Sequence, residues 1–196
     1  MTGSRLLNGT TRLHVELEER IARFLRKEKA LVFTTGYQTN LGTISALVDK
    51  RSVAVVDKAD HASIYDGARL SDGETMRFRH NDTRHLESVL KRVGEDRAAL
   101  VIIDGVYSMG GDIAGLPAII DACKRHHARI MVDDAHGLGV IGDGGRGTAS
   151  HFNLEDEVDL IMGTFSKSLA SIGGFIAGPA QGVEWIQHFA RSMLCS

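Results

Sequence analysis

The chain has 196 residues, 43% of them hydrophobic and 24% charged, with a formal net charge of -2. That is enough for one domain with a sizeable core, and the composition is neither disordered nor fibrous. Basic residues are scattered among acidic ones, which offers no footprint for nucleic acid or anionic lipid and leaves small molecules as the expected partners.

Taken in chain order, Met1 to Arg12 is polar with no apolar h-region, and no later run is long and apolar enough to span a bilayer. The expectation is a cytoplasmic protein with at most peripheral membrane contact. Leu13, Leu17, Ile21, Phe24 and Leu25 then recur at helical spacing, predicting an amphipathic helix over Thr11 to Lys27 with Thr11 as its cap. Short apolar runs at Ala30-Thr34, Val53-Asp57, Thr75-Phe78, Ala99-Asp104, Arg129-Asp133, Val158-Gly163 and Gly174-Ala177 predict seven strands. Helical patterns fall between them at Gln38 to Val48, Thr83 to Val93 and Leu116 to His126, and another follows at Ala180 to Met193. Pro117 and Pro179 both fit helix starts. This alternation predicts an α/β fold, a mainly parallel sheet with helices on both faces, without repeats or linkers. Cys123 and Cys195 make no disulfide framework and have no zinc-type partner spacing, which fits a reducing compartment.

In a parallel sheet, ligands gather outside the carboxyl ends of the strands, where Gly36, Ser108, Asp133 and Lys167 would all emerge. Lys167 lies in Gly163-Thr164-Phe165-Ser166-Lys167-Ser168, after the sixth strand and before Gly173-Gly174. A lysine on such a loop can shed its proton and form a Schiff base, and Thr164, Ser166 and Ser168 supply hydroxyls of the kind that anchor a phosphate. Asp133, ending an apolar run, is expected to be buried, where a carboxylate needs a cation or a good hydrogen-bond set. The protonated ring nitrogen of pyridoxal phosphate (PLP) is such a cation, and His136 could reach the ring hydroxyl. The competing reading is that Asp133 or Asp134 caps the following turn. Thr35-Gly36-Tyr37 opens a helix whose free amides suit a phosphate, with Tyr37 beside the ring. His61, just past a strand end, could stack on a planar ring and meet a substrate carboxylate; a solvated loop histidine is the plainer reading. Gly137-Leu138-Gly139-Val140-Ile141-Gly142 matches a dinucleotide fingerprint, but Asp143-Gly144-Gly145-Arg146-Gly147 cannot readily continue as the required helix.

Taken together these residues resemble the α-oxoamine synthases, fold-type I PLP enzymes that join an amino acid to an acyl-CoA with loss of carbon dioxide. The resemblance runs from Gly3-Ser4-Arg5-Leu6-Leu7-Asn8-Gly9-Thr10 and His14-x-x-Leu17-Glu18, through Gly105-Val106-Tyr107-Ser108-Met109 and Asp133-Asp134-Ala135-His136-Gly137, to the Lys167 segment. It implies Lys167 as the Schiff-base lysine and acid-base group, Asp133 at the pyridine nitrogen and His136 at the ring hydroxyl. His61 would stack on the ring, Gly36 and Tyr37 would flank the cofactor, and Ser108 and Thr164 would contact it. Leu7-Asn8-Gly9-Thr10 and Thr164-Phe165-Ser166-Lys167-Ser168 are most similar to the branch that condenses L-serine with palmitoyl-CoA to 3-oxosphinganine. Met131 to Gly137 also resembles the branches that make 8-amino-7-oxononanoate or 2-amino-3-ketobutyrate. A catalytically silent regulatory subunit of the same fold is a further possibility, against which Lys167 stands. Family members are longer, so residues 1 to 196 are expected to be a PLP-binding large domain lacking an N-terminal segment and a small C-terminal domain. The resemblance also implies a homodimer.

Overall fold

Fully buried strands read as continuous apolar runs, and the chain supplies them in the expected places. The computed structural model describes residues 3–195. Its strands are β1 (Lys29–Phe33), β2 (Ser52–Asp57), β3 (Glu74–Phe78), β4 (Ala98–Asp104), β5 (Arg129–Asp133), β6 (Leu160–Thr164) and β7 (Gly174–Gly178). They form one seven-stranded sheet in the order β1-β7-β6-β5-β4-β2-β3. Only β7 runs against its neighbours, β1 and β6. The carboxyl ends of the other strands therefore share one edge.

Side chains alternate across the sheet as a two-residue period requires. Val53, Val55, Val101, Ile103 and Val132 pack with Ile21 of α1 (Arg12–Phe24) and its C-cap Leu25, Leu86 and Leu90 of α4 (Thr83–Val93), and Ile119 of α5 (Leu116–Arg125). Ala54, Val56, Leu100, Ile102 and Met131 face the other way. They meet Ile44 of α2 (Gly36–Leu47), Ile64 of α3 (Ala62–Leu70) and Ile186 of α7 (Ala180–Phe189). Crossovers toward β3 use the α2/α3 face and those from β3 back to β5 use the α4/α5 face, which is what one fixed hand of connection demands.

Three departures from the expected elements have local causes. The helix α3 carries few large apolar residues, because it buries Ser63, Gly67 and Ala68 beside Ile64. It lies so close to α2 that a Cβ on Gly67 would sit 2.9 Å from the Asn40 carbonyl. The helix expected over Ala180 to Met193 breaks at Ala190 (φ -71°, ψ 102°), which turns α8 (Arg191–Leu194) onto α2, where the Ser192 hydroxyl donates to the Gln38 carbonyl at 2.7 Å. In α1 the apolar stripe is only half used: Ile21 and Leu25 are buried, while Leu13 and Phe24 are exposed.

The sheet edges are managed differently. β3 carries exposed Glu74, Thr75 and Arg77. On β1, the outward amide of Val32 donates to Glu18 Oε1 at 2.8 Å, and its carbonyl accepts from Arg5 Nη1 at 3.0 Å. Arg5 and Glu18 are themselves paired at 2.6 Å. That pair closes a strand edge with side chains from the Gly3 to Thr10 segment and from α1.

The glycine-rich stretch after β5 forms no nucleotide-binding helix. It is a turn closed by a Leu138–Arg146 bridge, with Gly139, Gly142, Gly144, Gly145 and Gly147 at positive φ. Asp134 holds it in place, accepting from Thr148 N at 2.6 Å and Thr148 Oγ1 at 2.7 Å. Gly147 (φ 91°, ψ -164°) and Gly94 after α4 (φ 80°, ψ 177°) occupy similar backbone regions that are nearly restricted to glycine. A Cβ on Gly94 would meet nothing within 4 Å, whereas one on Gly147 would lie 1.9 Å from Asp134 Oδ2. Gly94→Ala is therefore expected to cost only the backbone strain, about 1–3 kcal/mol. Gly147→Ala should cost clearly more, since the Asp134–Thr148 bonds must also give way, and urea unfolding of the two variants side by side measures the difference.

Candidate active site

Strand ends on the shared edge converge on a cavity of about 260 Å3. β1 leads into α2, where Thr35 caps the helix by accepting from Gln38 N at 3.1 Å. Gly36 and Tyr37, at the first helix positions, line the cavity; amides there have no acceptor within a helix, and the helix dipole adds positive potential. Glycine is needed at position 36 because a Cβ would meet Thr164 Oγ1, at the end of β6, at 2.9 Å. The Tyr37 hydroxyl donates to Asp66 on α3, and that bond raises its pKa.

β2 leads to His61, which caps α3: its Nδ1 accepts from Ser63 N at 3.3 Å and meets Ser63 Oγ at 2.7 Å. Asp104 and Asp133 end β4 and β5 as register partners, so their side chains point the same way from neighbouring strands. Each is 5% exposed. Asp133 accepts from Asn40 Nδ2 at 2.7 Å and from Ala135 N at 3.1 Å, both neutral groups. β6 leads through Thr164 and Ser166 to Lys167 on an exposed loop. Thr164 Oγ1 donates to the Gly173 carbonyl at 3.0 Å and lies 3.0 Å from Ser166 Oγ.

The expected site residues Gly36, Tyr37, His61, Asp133, His136, Thr164, Ser166 and Lys167 all line this one cavity. Ser108 does not. It stands exposed on a turn held by Tyr107 N to Asp112 O and Gly111 N to Tyr107 O, and at that strand end it is Asp104 that faces the cavity. Ser168 is likewise engaged elsewhere, donating to the Leu138 carbonyl at 2.7 Å, which ties the Lys167 loop to the glycine-rich turn. The two aspartates after Val132 divide the alternatives between them: Asp133 faces the cavity and accepts from Ala135 N, while Asp134 is structural. Asn40, Ser63 and Asp104 also line the cavity and were not singled out by sequence. For Asp104 a signal was present, since β2, β4 and β5 all end in aspartate.

Burial dominates the electrostatics. It raises the pKa of Asp133 against the lowering pull of the Asn40 and Ala135 hydrogen bonds. It pushes Asp104 up to about 8, with the Asp133 charge as the next cause. His136 is lowered first by burial and then by the charge of Lys167, so its imidazole is neutral near pH 7. Among the described residues, Asn40 Oδ1 and Asp104 Oδ1 are buried without a hydrogen-bond partner. A floor of buried acid, a neutral imidazole, an amine and a helix amino end together suit a flat cationic ring bearing an anionic substituent.

The whole chain, residues 1–196, matches the family model for aminotransferase class I and II, and the chain belongs to that family. Among named proteins, a serine palmitoyltransferase of Sphingobacterium spiritivorum is 50% identical over 194 residues, which is 99% of this chain and 49% of that protein. An 8-amino-7-oxononanoate synthase of Thermoanaerobacter pseudethanolicus is 44% identical, over 98% of this chain and 49% of that protein. A lysine-to-alanine variant of a serine palmitoyltransferase from S. paucimobilis, solved with a bound PLP–myriocin aldimine, superposes with a TM-score of 0.96 at 40% identity, covering 100% of this chain and 49% of that one. The chain thus spans about half the length of the curated relatives it matches. Among the described residues, no helix is long and apolar enough to cross a membrane.

The raised pKa of Asp104 carries a sign. The folded chain keeps its proton up to about pH 8, whereas the unfolded chain releases it near 3.8. The stabilising effect is therefore complete below about pH 4 and is lost as pH rises toward 8. Asp104→Asn should flatten this decline, giving a melting temperature that falls less than the wild type's between pH 5 and pH 8; an equal fall in both would contradict the assignment.

Proposed function

We propose that this chain binds PLP and that the protein carrying it condenses L-serine with palmitoyl-CoA, with loss of carbon dioxide, to give 3-oxosphinganine. The observation that carries the reading is the meeting of Lys167, Asp133 and His61 at one cavity, in a chain 50% identical to a serine palmitoyltransferase. The relative solved with bound PLP supports the cofactor, and the exposed apolar side chains of Leu7, Leu13, Leu169 and Ile172 support the homodimer. The free thiols of Cys123 and Cys195 support a reducing, cytoplasmic location.

The residues present fit the cofactor. Asp133 would hold the ring nitrogen, because its buried carboxylate is costly to ionise until a cation faces it. His136, neutral near pH 7, would donate to the ring hydroxyl. The amides of Gly36 and Tyr37, with the hydroxyls of Thr164 and Ser166, would hold the phosphate. Lys167 would hold the aldehyde carbon. When bound, PLP supplies an electron sink for the electron pair left at an amino acid Cα.

Lys167 Nζ would be the base that takes the serine Cα proton; the electron pair left at Cα would form the new bond to the palmitoyl carbonyl carbon as the coenzyme A thiolate leaves, and after loss of carbon dioxide the same amine would return a proton to Cα. Its position at the mouth, beside a neutral His136, keeps a second positive charge away from that transfer. His61 would cover one face of the ring, orient the serine carboxylate and exclude water from that side. Asp133 would keep the ring nitrogen protonated and so stabilise negative charge as it develops at Cα.

Mixing the chain with PLP should give a visible absorption band that Lys167→Ala abolishes; a band unaltered in that variant would refute the lysine assignment. In the protein with whatever flanks its gene encodes, serine plus palmitoyl-CoA should yield 3-oxosphinganine. Turnover confined to another amino acid and acyl-CoA would move the reading to the 8-amino-7-oxononanoate branch.

A further inference from the structure

We propose that Asn40 is a positioning residue that sets two walls of the cavity from one amide: it holds the Asp133 carboxyl group and, through Ser63, reinforces the His61 tautomer that has its proton on Nε2. Asn40 is fully buried on α2, one turn after Gly36. Both protons of its Nδ2 are used, one toward Asp133 Oδ2 at 2.7 Å and one toward Ser63 Oγ at 2.8 Å. The nitrogen rather than the oxygen of the amide must face Ser63 and Asp133, because His61 Nδ1 already accepts from the Ser63 amide, so the Ser63 hydroxyl gives its proton to Nδ1 and has only a lone pair to offer Asn40.

Having accepted from Asn40, the Ser63 hydroxyl keeps its own proton to give, and His61 Nδ1 stands 2.7 Å away. The same ring nitrogen is approached at 3.3 Å by the Ser63 amide, a group that can only donate. Nδ1 must therefore carry a lone pair, and the neutral ring has its proton on Nε2, turned from Ser63 and available to a ligand. The remaining atom of the amide, Asn40 Oδ1, is buried and unpartnered. An apolar side chain of similar size would suit the fold better than an asparagine with a wasted carbonyl, which places the reason for asparagine in its two N–H groups. Only the Asp133 arm of this inference rests on the PLP reading; the His61 arm stands on the hydrogen-bond geometry alone.

Asn40→Leu removes both donors at nearly constant size, and Ser63→Ala cuts only the His61 arm. In the PLP-free chain, nitrogen-15 NMR of the His61 ring should show a bare Nδ1 and a protonated Nε2 in the wild type, and a measurably smaller population of that tautomer in both variants, where only the Ser63 amide still donates to Nδ1. In PLP titrations followed by the visible band, Asn40→Leu should weaken binding about tenfold or more, while Ser63→Ala stays within about twofold of wild type. Should the leucine variant fail to fold, Asn40→Ala also lacks both N–H groups and carries the same expectations. A variant at position 40 with wild-type unfolding, His61 shifts and PLP affinity overturns the proposal. A wild type that takes up no PLP, yet whose His61 tautomer responds to both variants, would sink the functional reading while upholding the Asn40 link to His61.

Discussion

Two carboxyl groups, Asp104 and Asp133, lie side by side at the carboxyl ends of adjacent central strands, both almost out of contact with water. Neighbouring buried acids resist ionising together, so the arrangement is unfavourable by itself and becomes favourable when a positive group arrives between the strand ends and the helix above. The rest of the site answers to this constraint. Asn40 and the Ala135 amide hold Asp133 without neutralising it, and Lys167 and His136 stand near enough for each other's charge to matter. The fold thus carries a destabilised centre, supported by a core that alternates cleanly across both faces of the sheet.

Much of this was legible in the residues, for reasons that also explain what was not. Parallel strands covered on both faces must be apolar throughout, so runs such as Leu100-Val101-Ile102-Ile103 announce themselves, and the residues just after them are placed at the ligand-binding edge by topology alone. That is why Gly36, His61, His136 and Lys167 could be brought to one cavity from spacing and chemistry. α3 was missed because it packs through Ser63, Gly67 and Ala68, small residues that leave no apolar stripe to count. The break at Ala190 was missed because alanine gives no stop signal; the docking of α8 on α2 imposes it. Asn40 was hidden because a polar residue in a helix ordinarily reads as solvated, and only the tertiary contact with Asp133 shows otherwise. Ser108 was expected at the site from its place after a strand and from the resemblance, while the residue of that strand end lining the cavity is Asp104, which ends β4 as Asp133 ends β5.

The supporting parts divide by role. Asp60 ties the ends of β2 and β4 together by accepting from the amides of Asp57 at 2.8 Å and Asp104 at 2.9 Å. Asp134 pins the glycine-rich turn, and Ser168 fastens the Lys167 loop to that turn. Each spends its hydrogen bonds mainly on backbone groups, which is the chemistry of holding loops still, whereas Asp133 and Asp104 line the cavity.

The pairing of β1 with β7 has a consequence for how the molecule is made. Lys29 pairs with Gly178, so the strand that carries Gly36 and Tyr37 into the cavity has no place in the sheet until β7 has also left the ribosome. Local helices and the β2-β4 region can gather earlier, but the cavity waits on this contact of very long sequence separation. Between the emergence of β1 and that of β7 the nascent chain would carry an uncovered apolar sheet margin, and chaperone demand should follow that interval rather than the intrinsic speed of its helices.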